Sequence, residues 1–118
     1  MDIKLREEIY QLHAEMCGAL ADTNRILILY TLAERPYNVT DLAESLGMPQ
    51  PTASRHLKVL RDRGMATARR EGQSVYYALS DPRIIEALDL LRDVLGELLE
   101  IRVALTRNMH EETPIAQR

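Results

Sequence analysis

The sequence predicts a mainly α-helical fold carrying one small β-hairpin. Three observations predict it. Apolar residues recur at helical spacing over most of the chain, and one stretch, Met65 to Leu79, changes to strand-forming residues around a glycine turn. The 118 residues include no Trp and no Phe, so the core must be Leu, Ile, Val, Ala and Met with a few Tyr, which favours helix-on-helix packing. The length suits one domain, and an apolar content of 46% excludes a disordered chain.

The elements come in this order. Leu5, Ile9, Leu12, Met16 and Leu20 step by four and three, one stripe of a first helix over about 3–18, which Gly18 weakens or ends. Asp22 or Thr23 caps a second helix running to about Glu34. Its stretch Ile26 to Leu32 is apolar on nearly all sides, so it should be central and buried. Arg35-Pro36-Tyr37-Asn38 reads as a break. A two-turn helix comes next, with Thr40 as N-cap and Gly47 as stop. After Met48-Pro49 another helix begins near Gln50, tolerates Pro51 in its first turn, and runs through Leu57, Val59 and Leu60, which hold it to the core, to Arg63; Gly64 ends it. Two short helices joined by a tight glycine turn, the second one basic, form the helix-turn-helix pattern. Met65 to Arg70, the turn Glu71-Gly72-Gln73, and Ser74 to Leu79 form a hairpin directly behind it, which makes the hairpin a wing. Ser80 or Asp81 before Pro82 starts a last helix reaching about Arg107. Ile84, Leu88, Leu91, Leu95 and Leu98 form a heptad-like seam on it, suited to packing on the first helix and on a second copy of the chain. The expected organisation is one winged helix-turn-helix domain over 1–107, dimerising through its first and last helices, and a frayed tail over 108–118.

The total charge is −3, but its distribution matters more than its sum. From Gln50 to Gln73 the cations Arg55, Lys58, Arg61, Arg63, Arg69 and Arg70 face only Asp62 and Glu71, a local charge of +4 that leaves −7 on the rest. Short hydrogen-bonding groups on the first turns of such a helix can read base edges, and Gln50, Thr52, Ser54 and Arg55 supply them. Lys58, Arg61 and Arg63 lie further along, placed for phosphates. Arg69, Arg70 and Gln73 on the wing can reach an adjacent minor groove or backbone. Arg55 is open between base reader and phosphate clamp, and His56 reads as packed or backbone-bonded. The partner this implies is double-stranded DNA. The alternative, a winged helix used only for protein contacts, would explain the overall acidity but not the basic stretch. No Gly-rich phosphate loop, paired catalytic carboxylates or nucleophile elbow points to an enzyme, and nothing calls for a cofactor.

A lone cysteine, Cys17, makes no internal disulfide, the charged start Met1 to Glu8 is no signal peptide, and no apolar run nears membrane-spanning length. The expectation is a cytoplasmic protein with no membrane partner.

Three segments in the right order resemble the ArsR/SmtB family of bacterial winged helix-turn-helix repressors, over roughly residues 10–100. They are Ala19-Leu20-Ala21-Asp22-Thr23-Asn24-Arg25-Ile26-Leu27-Ile28-Leu29, the Gln50 to Arg61 helix, and the Arg69 to Tyr77 wing. The resemblance implies a repressor released by an effector; the seam on the last helix implies a homodimer on an imperfect palindrome, its two reading helices about 34 Å apart, and the basic stretch implies salt-sensitive affinity. The resemblance also implies metal sites that this chain lacks. The family's Asp-x-His and His-x-x-Glu positions on the last helix fall on Asp81-Pro82-Arg83 and Val94-Leu95-Gly96-Glu97, where both imidazoles are gone. The family's cysteine site before the reading helix falls on Asn38 to Ala43, which holds no cysteine. The effector is therefore unidentified.

His13 and Cys17, four residues apart, share one face of the first helix. Three readings stay open: Cys17 as a small apolar filler with His13 on the surface, Cys17 as a thiol sensor or intersubunit disulfide, or a metal site shared between subunits and using His13, Cys17 and His110. Asp89, Asp93, Glu97 and Glu100 on one side of the last helix read as a solvated face or a site for a hard cation.

Overall fold

The computed structural model describes residues 1–117, with side chains as far as Met109. The order is α1 (Ile3–Leu12), a π-helical turn (His13–Cys17), α2 (Gly18–Leu20), α3 (Thr23–Glu34), β1 (Tyr37–Asn38), α4 (Val39–Leu46), α5 (Gln50–Asp62), β2 (Ala66–Glu71), β3 (Ser74–Leu79) and α6 (Arg83–Gln117). The chain divides into a compact unit over Met1–Ile85 and the remainder of α6 from Glu86 onward. None of the described helices is long and apolar enough to cross a membrane.

Local chemistry sets the helix ends. Asp22 caps α3 by accepting from Asn24 N at 2.8 Å. Asn38, not the expected Thr40, caps α4: its Oδ1 accepts from Asp41 N at 2.8 Å. Gly47 closes α4 at φ +65°, where an L side chain is strained, and its N–H serves Ala43 and Glu44 carbonyls. Gly18 does not end the first helix. The chain continues through a π-helical turn into α2, so the helical path runs to Leu20.

The core of the first unit joins α3, α4, α5 and the base of the wing. Ile28, Leu29, Leu42, Leu57, Leu60 and Met65 are fully buried, joined by Ala19, Leu32, Ala43, Ala53 and Ala66. Along α3, Ile28, Leu29, Thr31 and Leu32 are buried while Leu27 is exposed, so this helix is covered on one side rather than on all. Buried Thr31 is satisfied locally, its hydroxyl donating to Leu27 O at 2.8 Å.

The sheet has three strands in the order β1-β3-β2, all antiparallel. The segment expected as a break supplies the third: Tyr37 pairs with Tyr77 and Asn38 with Tyr76. Two residues are too few for an alternating pattern to declare itself. Tyr37 is buried, and the Arg35 guanidinium lies 3.7 Å from its ring centre.

The last helix extends past the expected end at Arg107, to Gln117. The frayed tail expected over 108–118 falls mostly outside the residues whose side chains are described. Of the seam residues, Leu88 is buried and Ile84 half-buried, whereas Leu91, Leu95 and Leu98 are exposed.

Candidate nucleic-acid interface

The helix-turn-helix comprises α4, the link Gly47-Met48-Pro49, and α5. Ala53, Leu57 and Leu60 recur at i, i+4 and i+7 and are all fully buried, which fixes the inner face of α5. At 100° per residue, Pro51, Arg55, Lys58 and Asp62 then point outward, and all four are exposed. Gln50, Ser54 and Arg61 are exposed on one flank; Thr52, His56 and Val59 are half-buried on the other. The expected reading residues are thus on one element but not on one line. Arg55 shares the outward face with Lys58, Ser54 lies exposed on one flank, and Thr52 is half-buried on the other, its hydroxyl accepting from Arg55 Nη2 at 3.5 Å.

The wing is tied to the end of this helix. Gly64, at φ +77°, turns the chain out of α5, and its carbonyl accepts from Ser80 Oγ at 2.7 Å. Ser80 N donates to Met65 O at 3.1 Å. Of the two expected caps of the last helix, Asp81 does the capping, accepting from Arg83 N at 2.9 Å, and Ser80 anchors the wing instead. In the hairpin Glu71 stands opposite Ser74, so the turn itself is Gly72-Gln73, with Gly72 at φ +61°. Strand alternation sends Arg69 and Arg70 to opposite faces of the ribbon. Both are exposed, as is Gln73.

The six cations of the basic stretch divide evenly. Lys58 Nζ lies 2.9 Å from Asp62, Arg63 3.0 Å from Glu15, and Arg69 is paired with Glu71. Among the described residues, Arg55, Arg61 and Arg70 have no acidic partner. Arg63, expected to face phosphate, is turned toward the first helix. The sequence signal for Lys58–Asp62 was its i,i+4 spacing; Glu15 lies too far away along the chain to be read as the partner of Arg63.

Arg25 is a residue that sequence reasoning did not assign. It is largely buried and reaches both the Ala19 carbonyl, at 2.6 Å, and His56 Nδ1 on α5, at 3.4 Å. His56 is therefore side-chain-bonded rather than backbone-bonded.

His13 and Cys17 lie in the π-helical turn, both exposed, and no hydrogen bond joins them. His110 falls outside the described side chains. Among the described residues no three of His, Cys, Asp and Glu gather in a way that could hold a metal ion. The Asp81 carboxylate is moreover engaged. Arg83 donates to it from Nε at 3.1 Å and from Nη2 at 2.7 Å, and these bonds, with that from the Arg83 backbone, hold its pKa down to about 2. Where the resemblance places an imidazole, this chain places a guanidinium that occupies the neighbouring ligand.

Residues 22–68, from the cap of α3 into β2, match the model of the arsR family of bacterial regulatory proteins. An HTH-type transcriptional regulator of Mycobacterium tuberculosis, Rv0081, is 38% identical over 104 residues, which cover 87% of this chain and 91% of that protein. The chain belongs to the ArsR family. Its winged helix-turn-helix is the fold of that family's DNA-binding transcriptional regulators. The crystal structure of Rv0081 superposes on it with a TM-score of 0.72, covering 80% of this chain and 96% of that one. The homodimeric winged helix-turn-helix domain of Mb0332 from Mycobacterium bovis, a possible ArsR-family regulator, superposes at 0.69 with 32% identity, covering 82% and 88%. NmtR of Mycobacterium tuberculosis, another HTH-type regulator, is 44% identical over 76 residues, 64% of this chain and 63% of that protein.

Proposed function

We propose that this ArsR-family chain is an operator-binding repressor that acts in the cytoplasm as a homodimer on an imperfect palindrome and has no catalytic activity. The observation that carries the reading is the division of α5. Ala53, Leu57 and Leu60 lock one face into the core, the opposite face presents Arg55 and Lys58 to solvent, and Ser54 is exposed on the flank beside them. Ser54 and Arg55 are the base-reading candidates, with Gln50 at the helix start and Thr52 on the flank. Arg61 and Arg70 are the phosphate candidates whose charge is not already matched. Lys58 and Arg69 can serve phosphate by giving up exposed carboxylates, an exchange that costs little. Gln73 sits at the wing tip. The homodimeric relative from Mycobacterium bovis and the exposed apolar residues of α1 and α6 support pairing of two copies. Among the described residues no metal cluster gathers, and the positions that resemble the family's last-helix metal site carry Arg83 and Val94 in place of imidazoles.

A gel shift against the DNA upstream of the protein's own coding region tests the reading. Specific retardation that weakens steeply as salt rises, and is lost in Arg55→Ala and Ser54→Ala, is the expected result. Absence of binding to any duplex at low salt would overturn it.

A further inference from the structure

Two arginines fasten the recognition helix to consecutive stretches of the first helical path, Arg63 to the π-helical turn and Arg25 to the short α2 behind it. In the π-helical turn, Gly18 N–H donates to His13 O, whereas in an α-helix the same N–H would reach Ala14 O. Ala14 O instead accepts from Arg63 Nη1 at 3.1 Å, and that nitrogen also lies 3.0 Å from Glu15 Oε2. Arg63 is the C-cap of α5. A few residues on, the closing carbonyls of α2 meet Arg25 of α3: Nε donates to Ala19 O at 2.6 Å and Nη2 to Gly18 O at 3.5 Å. Nη1 of the same guanidinium lies 3.4 Å from His56 Nδ1 in the middle of α5. A guanidinium only donates, so the ring nitrogen accepts. Carbonyls at helix ends and irregular turns are the ones that intrahelical bonding leaves unserved. Here side chains serve Ala14 O and Ala19 O, and share Gly18 O with the Ala21 N–H at 3.4 Å; both of those side chains lead to the recognition helix.

We infer that Arg25 and Arg63 are positioning residues for DNA recognition, a two-point clamp that couples the π-helical turn to the presentation of α5. The inference rests on the DNA-binding reading of that helix. Neither arginine belongs to its outward face: Arg25 is largely buried on α3, and Arg63 points back to Ala14 and Glu15. The π-helical turn holds one residue more than an α-helical turn. Relaxing it to α geometry would rotate the helical path beyond it by about 100°, and the carbonyls of Ala14, Gly18 and Ala19 would leave their arginines. Any event that changes this turn would then release α5 at its middle and at its end together.

Glu15→Lys gives the decisive test, because charge and clamp predict opposite signs. The substitution makes the protein more positive, so electrostatics alone would leave operator binding equal or tighter. The clamp predicts that operator affinity falls by about three- to tenfold, the effect of an exposed pair broken in each half of a dimer, while affinity for unrelated DNA holds or rises. Glu15→Gln, which still accepts from Arg63, should restore most of the operator affinity. Arg25→Lys keeps the charge but loses the fork, and should weaken operator binding more than Glu15→Lys does. A second measurement needs no DNA. Hydrogen exchange at the backbone amides from Leu60 to Gly64 should be several-fold faster in Glu15→Lys than in wild type, with α3 unchanged. Unchanged exchange together with unchanged or tighter operator binding in Glu15→Lys would overturn the clamp. A wild-type protein that binds no duplex would instead sink the DNA reading, and the exchange measurement would still decide whether the clamp holds α5.

Discussion

Helices α5 and α1 are written in the same pattern and end in opposite circumstances. Both carry apolar residues at steps of three and four. In α5 those residues, Ala53, Leu57 and Leu60, are fully buried. In α1 no residue is buried, and Leu5, Ile9 and Leu12 stay 45–50% exposed. An amphipathic stripe predicts that a face will be covered, not what covers it. For α5 the cover is α3, α4 and the base of the wing, all in the same unit. For α1 the cover must come from elsewhere, and under the homodimer reading it comes from a second copy.

Truncation inside each stripe is the harshest way to break this comparison. Leu57→Ala should cost about 2–5 kcal/mol of unfolding free energy, because the well-packed site around it cannot collapse fully. Chemical denaturation would show that loss at every protein concentration. Ile9→Glu should do something different. It should leave the midpoint of dilute protein nearly unchanged and drive the protein toward monomer in sedimentation at micromolar concentration. An Ile9→Glu variant that stays dimeric would mean that the α1 stripe is not where the copies meet.

The same contrast decides how much of the molecule was legible in its sequence. Gly47, Gly64 and Gly72 announced three turns correctly, because a positive φ is a local demand that one residue can meet. Leu57 and Leu60 announced the inner face of α5 by spacing alone. The features that stayed hidden depend on partners distant in sequence. Tyr37 becomes a strand only because Tyr77 lies opposite. Arg63 turns back toward the first helical path only because Glu15 and the Ala14 carbonyl stand before it. The π-helical turn has no composition of its own, and Gly18 within the helical path read naturally as a stop. The exposed leucines of α6 were visible as a seam, but a seam on one chain does not say how many helices meet there.

On the outward face, the comparison sharpens into paired and unpaired cations. Arg55→Ala should weaken operator binding by about 1–3 kcal/mol if the guanidinium reads a guanine edge, with the loss concentrated on one base position in a competition assay. Arg61→Ala and Arg70→Ala should weaken binding to all sequences alike and reduce the slope of log K against log salt by about one per protomer. Lys58→Ala and Arg69→Ala should move that slope less, since each removes a cation whose charge Asp62 or Glu71 already offsets. Equal slopes for all these variants would mean that the ion pairs open freely on DNA and that the division has no energetic meaning.

The smallest effect concerns how a helix starts when burial does not hold it. The N-cap of α5 is Pro49, which makes no side-chain bond, and the buried Ala53 and Leu57 secure the next turns. The start of α6 relies on local chemistry instead: Asp81 accepts from the Arg83 backbone N–H and from its guanidinium. The Asp81 carboxyl has its pKa lowered from 3.8 to about 2 by these bonds. A carboxyl with a depressed native pKa binds its proton more readily when unfolded, so its stabilisation is complete above about pH 4 and fades as pH falls toward 2. The pair is exposed, which keeps the contribution modest and salt-sensitive. Amides at the start of α6, Arg83 to Ile85, should therefore lose exchange protection, relative to the intrinsic rates of an unfolded chain, between pH 4 and 2. In Asp81→Asn the protection should be lower at pH 5 and should not change across that interval. The first turn of α5 should show no such step in either protein. A step at α5 matching that at α6 would mean that acid loosens the whole unit, and that the cap at Asp81 is not what the pH change reports.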